Sequence, residues 1–329
     1  MKLKSIVLSI FIAAIFSFNL IAEEKPVSIG LTTDFAYYPK SAYVSGDTHF
    51  APITGAYSGL EGRITGNVDY KIPVPLGEHW LLKDSNIVLS GKLELSPVSI
   101  RPIAAASFTP LPFLVFSTGF SAGTGWNLLG LQGMAYLTTN DEKKLVYKDY
   151  SPFATYYINW YANGTFQFDT GAIFAGDWTH VQIMYTYQVS YERLTSADKG
   201  EIWMWQCSGN RVNGWSEYQS IILAYQMPLV LSRIGVLTEI SGHYKDSDYE
   251  PESKVNPYSN YKGSFKSISI SPLAQFTLGP NDTLTALAGF SSRRSFKEEH
   301  TESIKEPFLT YSGREWYFNR IALSWSHNF

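Results

Sequence analysis

The chain has 329 residues, with 26 basic and 29 acidic side chains and a formal charge of −3, a balance that offers nucleic acid no electrostatic footing. Charged residues are only 17% and aromatics 16%, whereas about a quarter of a soluble domain is charged. The one cysteine, Cys207, excludes an internal disulfide. No spacing of His, Cys, Asp or Glu marks a metal or cofactor site.

The N-terminus reads as a secretory signal peptide over residues 1–22. Lys2 and Lys4 precede an apolar run over 6–18 that is broken only by Ser9 and Ser17, and Ala22 stands before the acidic Glu23 and Glu24. The alternative is an uncleaved anchor, but the run is short for a spanning helix. Residues 23–329 are then expected to form one all-β domain. No charge occurs between Arg101 and Asp141, yet Pro102, Pro110 and Pro112 fall in or at the edge of that stretch and argue against a membrane helix. An apolar surface without helix-forming sequence requires a sheet that closes on itself, because every backbone amide must be paired in hydrocarbon.

Alternation supports this along the chain. Ile64, Gly66, Val68, Tyr70 and Ile72 interleave with Arg63, Thr65, Asn67, Asp69 and Lys71. Ile87, Leu89, Leu93 and Leu95 share one parity, opposed by Ser90, Lys92 and Glu94. Val181, Ile183, Tyr185, Tyr187 and Val189 oppose Gln182, Thr186, Gln188, Ser190 and Glu192. Ile268, Ile270, Pro272, Ala274 and Phe276 oppose Ser267, Ser269, Ser271, Leu273 and Gln275. This period of two, with lipid on one face and lumen on the other, is that of a membrane barrel.

Runs and turn signals predict about 14 strands, or 12 if one hairpin is misassigned. They start near Pro26, Ser58, Ser85, Val98, Leu111, Leu129, Tyr150, Gly164, Trp178, Ser216, Leu229, Gly263, Asp282 and Glu315. With both ends periplasmic, the long connections 39–57, 194–215, 245–262 and 297–314 face outward. Short ones such as Met227–Pro228 and 279–281 face inward. Ser96–Pro97 and Ala162–Asn163 are then short outer turns, and 140–149 is a long inner connection.

The last strand places Ile321, Leu323, Trp325, His327 and Phe329 on one face. In ending on an aromatic residue after an amphipathic strand, the chain resembles bacterial outer-membrane β-barrel proteins. The resemblance implies a closed antiparallel up-and-down transmembrane barrel in the outer membrane, with lipid as one partner. It also implies that Ile321, Leu323, Trp325 and Phe329 form a signal read by the barrel-insertion machinery, from which His327 departs. A likeness to the fatty-acid transporter family rests on strand number alone, and no hatch like that family's precedes the first strand.

The lumen is expected to carry Asp34, Glu61, Arg63, Asp69, Lys71, Lys92, Glu94, Arg101, Asp169, Arg233, Glu239, His243 and Arg320. Such positions tolerate charge and form cross-strand pairs; in the sharper reading they line a water-filled path, where mixed signs predict weak ion selectivity. The function expected is a passive channel or substrate-specific transporter for small solutes or apolar ligands. The alternative is a surface-exposed structural or adhesive barrel with an occluded lumen. An enzyme is the third class: six histidines are present, but none lies in a pattern that marks a nucleophile.

Overall fold

Strands that are apolar on one face and polar on the other leave reactive edges unless pairing continues until the sheet closes. The computed structural model describes residues 26–250, 258 and 260–329. The expected signal peptide lies outside these residues.

Twelve antiparallel strands make the wall: β1 (Val27–Ser41), β2 (Ile53–Pro73), β3 (Asn86–Ser96), β4 (Ser99–Leu111), β5 (Leu114–Gly125), β6 (Tyr157–Asp169), β7 (Val181–Leu194), β8 (Gly214–Gln226), β9 (Leu231–His243), β10 (Ser267–Thr277), β11 (Asp282–Phe296) and β12 (Tyr311–Asn328). Each pairs with its neighbours in sequence, and β1 closes on β12 in a register running from Gly30 opposite Asn328 to Tyr37 opposite Ile321. The Phe329 amide completes the seam by donating to the Ile29 carbonyl at 2.9 Å. A short thirteenth strand, His49–Phe50, folds back parallel onto β12.

Connections 42–52, 97–98, 126–156, 195–213, 244–266 and 297–310 lie at one end of the barrel. Connections 74–85, 112–113, 170–180, 227–230 and 278–281 lie at the other, the turn end, together with the start of β1 and the end of β12.

The wall thus holds the smaller of the two expected strand numbers. The strand expected near Leu129 is instead loop structure. Asn127–Leu128 and Leu131–Gln132 form a two-residue hairpin across Leu129 and Gly130, both at positive φ. Met134–Thr139 follows and pairs away from the wall. The strands expected from Tyr150 and Gly164 merge into β6. Asn163 and Gly164 form a turn dipeptide by local chemistry, but both flanking strands pair straight through them, Asn163 facing Ser117 and Gln188. Satisfied ladders on both sides outweigh the local turn preference. Ala162–Asn163 is therefore mid-strand, and 140–149 belongs to a loop at the long-loop end.

That end is a folded cap. Loops 126–156 and 195–213 join in a four-stranded sheet ordered Leu145–Asp149, Met134–Thr139, Trp203–Trp205, Ser208–Arg211. Beneath it Met134, Leu194, Trp203 and Trp205 pack on Tyr157 of β6. Beside it Ile202 and Val212 pack with Tyr249, Tyr261 and Phe296. Loops that merely connected strands would not bury such aromatics.

Candidate functional site: the lumen and its outer chamber

The wall exposes a row of large apolar side chains all round, including Phe35, Val68, Leu93, Phe116, Ile183, Leu223, Val236, Ile321 and Leu323. The alternate residues are buried or half-buried. So continuous an apolar exterior is a lipid-facing surface. Aromatic residues with a polar handle stand at its two margins, as in an interfacial girdle. Toward the turn end the Trp325 indole donates to Asp282 at 3.0 Å and the Tyr225 hydroxyl to the Trp178 carbonyl at 2.8 Å. Toward the long-loop end Trp160 and Trp215 meet edge to face at 5.7 Å. Phe329 is exposed on the same outer face as Ile321 and Leu323.

The inward face is layered. At mid-height one chain of ion pairs crosses four adjacent strands. Arg63 (β2) donates to Asp34 (β1) at 2.6 Å and lies 3.4 Å from Glu94 (β3). Arg101 (β4) donates to the same Glu94 at 2.6 Å. The Asp34–Arg63 and Glu94–Arg101 pairs are directly opposed in strand register. Glu94 is 2% exposed and Arg101 3%, so both charges are largely withdrawn from solvent and each depends on the other. Loop residue Gln206, at φ +49°, reaches down and donates to Glu94 at 3.0 Å and to Ser99 at 2.8 Å. The cap is thereby tied to the ion-pair layer.

Further round the wall, Arg320 of β12 approaches Glu239 of β9 at 3.6 Å, and the Tyr218 hydroxyl donates to Glu239 at 2.8 Å. Beside them the inward row turns apolar. Ile222, Leu237, Leu273, Leu287 and Ala322 form a buried cluster with Ala36 and Tyr38. The inward face is therefore not polar throughout. Five consecutive strands point aliphatic side chains inward, and these pack against one another.

The remaining sequence-predicted residues fall into separate groups. Glu61 accepts from Tyr38 at 2.7 Å. Asp69 accepts from Asn67 and Ser90 near the turn end, where Lys71 and Lys92 are half-buried. Arg233 donates to Gln275 at 2.8 Å. Asp169 holds Gln182 and His180, each at 2.9 Å. His243 pairs with Asp248 at 3.1 Å. Gly214 makes room for this pair, since a Cβ there would stand 2.7 Å from Asp248. Among the described residues no group of three His, Cys, Asp or Glu side chains forms a metal-holding cluster.

Between the ion-pair layer and the cap lies a chamber of about 420 Å³. Its floor includes Arg63, Arg101 and Arg320. Its walls carry Asn159, Gln188, Ser216, Ser241, Ser267 and Ser269, and Trp205, Asn210, Tyr249 and Phe265 lie above. Several chamber residues escaped the sequence reading: Gln206, Arg211, Arg293 and Arg294. Glu192 was legible, being on the polar row with Gln188 and Ser190. Arg211 came from a loop with no periodicity to aim it; it forms an ion pair with Glu192. Burial opposes the Arg211 charge, but the Glu192 carboxylate outweighs it and holds the guanidinium pKa above its ordinary value. In the cap the Tyr147 hydroxyl, pushed up by burial, donates to Asn210 at 2.9 Å.

No family pattern and no curated protein matches this chain. Among solved structures it is similar to the beta domain of the Bordetella autotransporter BrkA, at 9% identity and a TM-score of 0.45, over 92% of this chain and 99% of that one. It is also similar to the KdgM porin, at 10% identity and a TM-score of 0.35, over 91% and 99%. A third likeness is to the outer membrane channel DcaP of Acinetobacter baumannii, at 9% identity and a TM-score of 0.35, over 92% and 96%.

Proposed function

We propose that the chain is a bacterial outer-membrane barrel that passes small solutes through its lumen and is closed, in this state, at the ion-pair layer. The lipid-facing belt supports the membrane location. The observation that carries the transport reading is the polar chamber. A barrel serving only as a scaffold or adhesin gains nothing from buried space walled by serines and amides, whereas a solute path needs such a compartment. The layer below it is held by directional ion pairs, which have discrete alternative arrangements, rather than by a continuous apolar plug.

The buried mid-lumen favours a second reading, a barrel permanently occluded and used for its surface. Planar-bilayer recording separates the two. Discrete openings that become more frequent in Glu94→Gln support the channel, and a folded barrel that stays silent in both forms removes it. In the transport reading the pairs His180–Asp169, His243–Asp248 and His327–Asp282 are wall and rim contacts, and the protein is not an enzyme. Ile321, Leu323, Trp325 and Phe329 remain the proposed contact for the insertion machinery.

A further inference from the structure

We infer that the outer chamber is a binding site for a small uncharged polyhydroxylated solute, such as a monosaccharide or neutral disaccharide; the inference rests on the transport reading and specifies its substrate class. Most of the charges around the chamber are matched within the protein. Arg63 and Arg101 are matched by Asp34 and Glu94, Arg211 by Glu192, Arg293 by Glu315 and Arg320 by Glu239. Arg294 donates to the Tyr261 hydroxyl at 3.0 Å and to the Lys262 carbonyl at 3.0 Å, and lies 4.0 Å over the Tyr261 ring. An anion entering would displace an internal partner, and a cation would meet carboxylates already engaged, Glu61 by the Tyr38 hydroxyl and Glu306 by the Asn210 amide among them.

The aromatic faces are taken as well. Tyr157 is stacked by Trp205 at 4.8 Å and has Arg211 over its ring at 5.6 Å. Tyr317 lies 4.5 Å beneath Arg293. An apolar ligand would find no open ring to rest on.

What stays reachable is neutral and hydrogen-bonding. Asn159 on β6 is half-buried and Ser241 on β9 exposed, and both line the chamber. Neither side chain has a hydrogen-bond partner among the described residues. Half-buried Ser216 and Ser269 bond only to other hydroxyls, Ser190 and Ser291, each at 2.9 Å. Hydroxyls that donate and accept along a wall, with a free amide on another strand, match the paired donors and acceptors of a sugar's hydroxyls. The volume lies within the about 300–1,000 Å³ usual for small-molecule sites.

The test is calorimetric titration of the full chain refolded in detergent, with glucose and sucrose as probes and gluconate and glucosamine as charged counterparts. Saturable heat is expected from the neutral sugars and at most a tenth as tight a response from the charged ones. Asn159→Leu and Ser241→Val should each weaken sugar binding about five- to tenfold, the worth of one lost hydrogen bond. Unchanged heat-modifiable mobility would show that these variants fold. Ser241→Thr, which keeps the hydroxyl, should retain binding if Ser241→Val fails to fold. Absent saturation by either sugar, equal binding of a charged probe, or wild-type affinity in both folded variants overturns the inference. Micellar binding needs no conductance, so a silent barrel that binds glucose sinks only the channel. A conducting barrel that ignores sugars sinks only the solute class.

Discussion

Glu94→Gln tests the ion-pair layer most directly. The substitution keeps the side-chain volume and removes the carboxylate that Arg101 holds at 2.6 Å and Arg63 approaches at 3.4 Å. Arg63 retains Asp34 at 2.6 Å. Arg101, 3% exposed, retains no carboxylate partner among those pairs. Leaving one member of a buried pair uncompensated costs about 3–5 kcal/mol, or roughly two to three and a half powers of ten in the folded-to-unfolded ratio. Guanidinium unfolding of the barrel in lipid vesicles, followed by tryptophan fluorescence, reads this out. Replacing both members by uncharged groups of similar volume, Glu94→Gln with Arg101→Met, should recover most of the loss, because no bare charge is then left behind. A single-variant cost below about 1 kcal/mol, the range of a solvent-exposed pair, would refute the claim that the pair is shielded from solvent. Strict additivity of the two single variants would refute the coupling.

Other outcomes follow from the wall, the chain end and the cap. Leu223 is 54% exposed and flanked across the sheet by Ile183 and Val236. Leu223→Arg should cost about 2–4 kcal/mol of unfolding free energy in vesicles if it sits near the bilayer midplane; a neutral result would mean that face does not meet hydrocarbon. Deleting Phe329 should lower the amount of folded barrel recovered from cell membranes while leaving refolding in detergent intact, and equal cellular recovery would dismiss the insertion-signal proposal. Burial raises the pKa of Asp246, but the amide and hydroxyl of Ser264 and the Lys262 ammonium outweigh it and set the folded value below the usual carboxylate range. The contribution of Asp246 is therefore complete above the unfolded value, about 3.9, and is lost as pH falls through the lower folded one. Proteolysis of loop 244–266 by an acid-active protease should stay constant from neutral pH down to the usual carboxylate range and rise only below it. Loosening near pH 6 would contradict the assignment.

That the chain forms a barrel, and largely where each strand lies, was legible from alternation alone, because a period of two is local: neighbouring residues face opposite sides whatever the rest of the chain does. The sequence put Glu94 and Arg101 on neighbouring strands, and the two-residue connection 97–98 sets them directly opposite each other. The strand count, by contrast, came from the packing of the whole fold. Whether Met134–Thr139 joins the wall or pairs with Trp203–Trp205 depends on a partner that lies some seventy positions downstream and carries no matching periodic signal. The fold alone joined Glu239 to Arg320 across strands that are not neighbours, and bent Gln206 down onto Glu94. Such contacts depend on the curvature of the closed sheet and on the path of the loops, which arise from the packing of the whole chain rather than from any local run of residues.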